Sequence, residues 1–175
     1  STGRITRELH AQRVKRGELH NRDFLMVGSM GHASQIVLGL ALAKPNRTIV
    51  CLDGDASAIM HMGGMSVIGK LGVSNLWHFV LNNGAHESVG GQTSSGFFTD
   101  FTTVATACGY ATSKTYLTSR QEIAHSIDQL QHSDKPKFFD LRIHKGIRDG
   151  LPALLVDHKQ DKTMLMQEIV RDYND

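Results

Sequence analysis

Residues 48–92, TIVCLDGDASAIMHMGGMSVIGKLGVSNLWHFVLNNGAHESVGGQ, decide how this chain folds. The apolar, β-branched run 48–52 reads as a buried strand. It breaks into Asp53-Gly54-Asp55-Ala56-Ser57, just ahead of a helical pattern. A second apolar run, 76–81, breaks in the same way into Asn82-Asn83-Gly84. Asp55 and Asn83 therefore each lie just past the carboxyl end of a predicted strand. In a parallel sheet both project from the edge where open α/β folds bind ligands. A hard oxygen donor on each of two glycine-bearing loops suits Mg²⁺ and a phosphate group.

Outward from this stretch, the pattern alternates. A helix is predicted over 4–16. The apolar run 24–27 is predicted as a strand, ended by Gly28, the first strand-to-helix break. Gly28-Ser29-Met30-Gly31-His32 leads into an apolar helix over 33–43, which Lys44-Pro45-Asn46 closes. Residues 57–70 have helical spacing but are rich in Gly and Met, as expected of a helix packed closely on a ligand or another subunit. A Gly-rich loop over 83–96 precedes a helix over 101–108 capped by Gly109. A strand is predicted within 110–117, a helix over 119–130, a strand over 137–143, a turn over 146–152 and a terminal helix over 163–173. Strands alternating with helices imply an α/β, doubly wound, largely parallel sheet flanked by helices. With no repeat and no linker, residues 1–175 are expected to form one domain.

Composition narrows the function. The 175 residues are 40% apolar and 21% charged, ordinary for one globular core. A net charge of +2 with scattered basic residues gives no footprint for nucleic acid; the one cluster, Arg13, Lys15 and Arg16, reads as a solvated helix face. No run of about 18 apolar residues exists, so no membrane helix is expected. Cys51 and Cys108 stand alone in apolar contexts, as buried, reduced thiols of a cytoplasmic enzyme would.

The ordered set Gly54-Asp55-Ala56 and Asn82-Asn83 resembles the thiamine diphosphate motif, in which a Gly-Asp-Gly is followed by a helix, a strand and Asn-Asn. Ala56 departs from it, standing where that family has Gly. The resemblance implies the thiamine-diphosphate-binding fold, of the diphosphate-binding type. It implies that Asp55, the Asn83 side chain and the Ala85 carbonyl hold Mg²⁺, and that the amides around Ala56 and Ser57 receive the cofactor's phosphates. Gly28-Ser29-Met30-Gly31 resembles the loop whose bulky apolar residue, here Met30, wedges beneath the thiazolium. Read singly, Asp55 is equally an N-cap, Asn82-Asn83-Gly84 a plain turn and Met30 core filling. His32 and His86 follow these loops and are candidates to contact a substrate anion or the diphosphate, against structural roles for both. Ser88, Gly90, Gly91 and Gln92 could cradle an acidic group or only shape the loop.

GSMGHAS, CLDGDAS, MHMGG, NNGAHESVGGQ and ACGY are similar to the cofactor-binding half of the phosphonopyruvate decarboxylases and to the β-type chain of the sulfopyruvate decarboxylases. That likeness implies non-oxidative decarboxylation of a small anionic 2-oxo acid, with phosphonopyruvate giving phosphonoacetaldehyde and sulfopyruvate the alternative. In this family a Glu on a separate pyrimidine-binding domain activates the cofactor. Glu87 does not match it, so the resemblance implies a partner domain or subunit that carries this Glu, in a hetero- or homo-oligomer. The chain is then a separate subunit or the C-terminal piece of a longer protein. Three rival readings stay open. Asp53 and Asp55 imitate the Asp-x-Asp motif of haloacid-dehalogenase-type phosphatases. Ala56 fits an inactive cofactor-binding or assembly module if its position needs a positive φ. The same scaffold also serves other 2-oxo acid lyases and acetolactate-type ligases.

Overall fold

The computed structural model describes residues 3–113, 115–153 and 157–171. In chain order the elements are helices α1 (Arg4–Arg16) and α2 (Ala33–Ala43), strand β1 (Ile49–Gly54), helices α3 (Asp55–Met60) and α4 (Gly64–Leu71), and strand β2 (Leu76–Asn82). A short hairpin follows, β3 (Ala85–His86) and β4 (Gln92–Thr93), around a 3-10 turn at Glu87–Val89. Then come α5 (Phe101–Ala107), β5 (Ala111–Thr112), α6 (Arg120–Leu130), β6 (Lys137–Arg142) and α7 (His158–Arg171).

The main sheet has the order β1-β2-β6-β5 and is parallel throughout, as the alternation of elements predicts. Side-chain alternation splits it into two faces. Leu76 and Val80 of β2 and Phe138 of β6 join one apolar cluster with residues of α2, α3, α4 and α5. Phe79 of β2 and Phe139 of β6 stack at 4.4 Å on the other face, where Ile123, Ile127 and Leu130 of α6 pack. Helices on both faces make the sheet doubly wound.

The helix ends follow local chemistry. Gly17 closes α1 in the left-handed region at φ 65°, and Arg13, Lys15 and Arg16 occupy the last turn, where cations suit the helix dipole. Arg13 also forks onto Asp23, at 3.0 and 3.1 Å. Asp100 caps α5, and Ser119 with Glu122 forms a capping box at the start of α6. The side-chain amide of Asn75 donates to the carbonyls of Ala41, Lys44 and Arg47, at 3.0, 2.9 and 2.8 Å, and so fastens the end of α2 beside β2.

Several expectations need correction. Residues 24–27 form no strand. Leu25 and Met26 are buried, but the stretch joins no ladder and is held by single bonds, such as that from the Leu25 amide to Asp161 of α7 at 3.2 Å. Between this stretch and β1 lies a cavity of about 600 Å³. Among the described residues β1 pairs only with β2, and Val50 on it is 49% exposed. The helix predicted over 57–70 is two helices, because the chain turns at His61–Gly63, where Gly63 and Gly64 weaken helix continuation. The strand predicted within 110–117 shrinks to Ala111–Thr112 plus a single bridge from Leu117 to Leu141. The last helix starts earlier than predicted, at His158, and its predicted end at 173 lies outside the described residues. Among the described residues no helix is long and apolar enough to cross a membrane.

Candidate functional site

The site grows from the carboxyl ends of β1 and β2. Their register sets Gly54 opposite Leu81, which brings the next residues, Asp55 and Asn82, side by side. Gly54 is extended, and Asp55 turns directly into α3 with its carboxylate buried. Asn82 is fully buried. Its amide donates to the Gly96 carbonyl at 2.9 Å and to Asp140 Oδ1 at 3.3 Å, while its oxygen accepts from the Gly84 amide at 3.2 Å. Burial pushes the Asp140 carboxyl above the ordinary range, and Arg142 and Asn82 partly oppose this. Asn83 Oδ1 accepts from the Ala85 amide at 3.1 Å, a side-chain-closed turn that Gly84 completes at φ 66°.

These loops frame a cavity of about 360 Å³. Met30, Gly54, Asp55, Ala56, Ser57, Asn83, Ala85 and His86 all stand on its wall. The Ser57 hydroxyl accepts from the Gly31 amide at 2.9 Å and so ties the loop bearing Met30 to α3. Gly28 and Ser29 are exposed and off the wall, so that loop reaches the cavity through Met30. His32 also points elsewhere; it is exposed and lies against the His61 ring at 4.3 Å. Ser88 is on the wall, whereas Gly90, Gly91 and Gln92 are exposed in the hairpin beyond it.

Sequence reasoning missed three contributors. The Ser94 hydroxyl donates to Asp55 Oδ2 in a short contact and accepts from the Gly96 amide at 3.1 Å. Gly96 presses so closely on the Asp55 carboxylate and the Asn82 amide that a Cβ has no room there. Helix α1 closes one side of the cavity with Arg4, Ile5, Glu8 and Leu9. Nothing in a Ser-Ser-Gly triplet or in an N-terminal amphipathic helix advertises such contacts.

The donor chemistry fits a magnesium ion. One oxygen of buried Asp55 is engaged by Ser94, and the other has no hydrogen bond among the described residues. Asn83 Oδ1 and the carbonyl of buried Ala85 add two further hard oxygens on the same wall. Ala56 lies inside α3, and among the described residues no non-glycine residue has a positive φ. Its backbone is therefore unstrained, so no positive φ at Ala56 argues for an inactive module. Asp53 does not reach the cavity. It is 1% exposed, bonds the Gly54 amide at 2.9 Å and faces His78, so it cannot serve as a phosphatase nucleophile.

Comparison with known proteins is consistent with this geometry. Residues 2–141 match the family model for the thiamine pyrophosphate enzyme, C-terminal TPP binding domain. The chain is 38% identical over 153 residues to phosphonopyruvate decarboxylase of Streptomyces viridochromogenes, a match covering 86% of this chain and 36% of that protein. It is 42% identical over 92 residues to sulfopyruvate decarboxylase subunit beta of Methanocaldococcus jannaschii, covering 52% and 48%. It thus spans between about a third and a half of the length of these two relatives. Among solved structures, a thiamine diphosphate-dependent 4-hydroxybenzoylformate decarboxylase of Rhodococcus jostii superposes with a TM-score of 0.57 at 19% identity, over 68% of this chain and 24% of that one. At that identity the likeness speaks for the fold.

Proposed function

The chain belongs to the thiamine pyrophosphate enzymes, whose C-terminal TPP-binding domain it carries, and from that premise we propose that it supplies the diphosphate-binding half of a phosphonopyruvate decarboxylase. The observation that carries this reading is the single cavity shared by Met30, Asp55, Asn83 and Ala85, in a chain 38% identical to such an enzyme. Sulfopyruvate decarboxylation is the second reading, favoured by the likeness to sulfopyruvate decarboxylase subunit beta.

In this reading Asp55, Asn83 and the Ala85 carbonyl would hold Mg²⁺, which would anchor the diphosphate, and Met30 would support the thiazolium. When bound, thiamine diphosphate supplies the electron sink that lets a 2-oxo acid lose CO₂. The chain's own work is to hold and orient. Ser94 fixes the Asp55 carboxylate, and Ser57 locks the Met30 loop against α3. The activating Glu would come from a pyrimidine-binding domain or subunit, since Glu87, which accepts from the Gly146 amide at 2.9 Å, does not match the family's Glu. The working enzyme is then an oligomer, hetero- or homomeric. Free Cys51 and Cys108 suit a reducing, cytoplasmic setting.

The test is decarboxylation of phosphonopyruvate and of sulfopyruvate with Mg²⁺ and thiamine diphosphate, with and without the pyrimidine-domain polypeptide. Turnover of phosphonopyruvate in the combined sample, lost together with Mg²⁺-dependent cofactor binding in Asp55→Ala, is the expected result. Turnover of sulfopyruvate alone would select the second reading, and turnover of neither would overturn both.

A further inference from the structure

Arg4 is the first residue of α1, and it shares the wall of the cofactor cavity with Met30, Asp55 and Asn83. Its Nε is shut off from solvent and has no hydrogen-bond partner, and no acid among the described residues forms an ion pair with it. The remaining charged groups on that wall are acids, Glu8, Asp55 and Glu87. Glu8 is taken by Arg148, at 3.2 and 3.3 Å, and Glu87 by the Gly146 amide. Arg4 is therefore the one permanent cation among the described residues that line the cavity. The first turn of α1 adds to this, since it has neither a side-chain cap nor an acidic residue to satisfy its free amides.

We propose that Arg4 receives a tetrahedral oxyanion bound in this cavity, either the phosphonate or sulfonate of the substrate or a phosphate of the cofactor. The assignment rests on the function proposed above. A planar guanidinium whose terminal N–H groups have no partner among the described residues matches two oxygens of such a group, whereas a lysine offers only a point charge. Asp55 serves the opposite purpose on the same wall, since a carboxylate repels an oxyanion unless a metal stands between them. Arg4 thus marks where an anion can sit without a metal.

The experiment uses the assembled enzyme with its pyrimidine-domain partner, as wild type, Arg4→Lys and Arg4→Met, with melting temperatures to show intact folding. Calorimetry measures thiamine diphosphate with Mg²⁺ in one arm and phosphonoacetate, a phosphonate that cannot be decarboxylated, in the other. We expect Arg4→Met to weaken one of these ligands by about tenfold or more, with Arg4→Lys intermediate. Loss confined to phosphonoacetate, with acetate binding unaltered, identifies the substrate anion; loss confined to thiamine diphosphate identifies the cofactor phosphate. Affinities for both within about twofold of wild type in a folded Arg4→Met enzyme would overturn the proposal. A wild type that binds the cofactor but decarboxylates neither oxo acid would instead overturn the proposed function, and the binding arms would still judge Arg4.

Discussion

His78 Nε2 stands 3.5 Å from Asp53 Oδ2 on the adjacent parallel strand, with both side chains 1% exposed. Burial opposes the Asp53 charge, yet His78 and Ser57 hold its carboxyl below the usual carboxylate range. Removing one partner of a buried pair strands the other. His78→Leu is expected to cost about 3–5 kcal/mol in urea unfolding. Adding Asp53→Asn to it should recover part of that loss. A double variant less stable than His78→Leu would show that the two side chains do not depend on each other.

Asn75 serves three carbonyls with one amide, at the point where α2 ends. Asn75→Ala leaves those carbonyls without their donor and should cost about 1–3 kcal/mol. Asn75→Asp keeps the shape but turns oxygens toward oxygens, so it should be the worse of the two. Equal unfolding midpoints for wild type and both variants would refute the role.

Helical glycines usually gain from alanine, by about 1 kcal/mol. Gly39 in α2 has open space around it and should follow that rule. Gly69 in α4 should not, because an added methyl would overlap the carbonyl of Cys108 at the end of α5. Overpacking of this kind costs about 1–3 kcal/mol, enough to reverse the sign. Thermal denaturation of Gly39→Ala and Gly69→Ala should therefore move in opposite directions.

The cap of α5 gives a pH signature. Asp100 accepts from the Thr103 amide at 2.9 Å and from its hydroxyl at 2.7 Å, and these donors hold its carboxyl below the ordinary value. A depressed carboxyl stabilises the fold above the unfolded value of ~3.9, and that stability is lost as pH falls through the folded value. Asp100→Asn keeps an acceptor but no charge. The advantage of wild type over Asp100→Asn should be constant near neutrality and disappear in acid. An advantage that persists unchanged below about pH 2 would sink this account.

Much of this fold was legible because the decisive elements carry their own local signals. Helices α1 and α2 have the predicted bounds, since a left-handed Gly17 and a Lys-Pro-Asn stop end them. The two apolar runs became β1 and β2, and their breaks put Asp55 and Asn83 on one cavity. What stayed hidden depends on distant partners. Residues 24–27 are apolar enough for a strand but find no ladder. The 57–70 pattern could not reveal a turn at His61–Gly63 that costs little beside adjacent glycines. Ser94, Gly96 and Arg4 belong to the site only because the chain folds back on Asp55, and no residue spacing encodes that return.

The strand that delivers Asp55 is also the place where the sheet can grow. Among the described residues the side of β1 away from β2 has no strand partner and borders a cavity, beside a half-exposed Val50. Such a border is a template for any extended, apolar segment, including one from a neighbouring molecule. At high concentration the chain handled alone is thus at risk of edge-to-edge association and eventual aggregation. Val50→Lys would act as a gatekeeper there, discouraging that growth from a position that is not on the wall of the cavity that Asp55 lines.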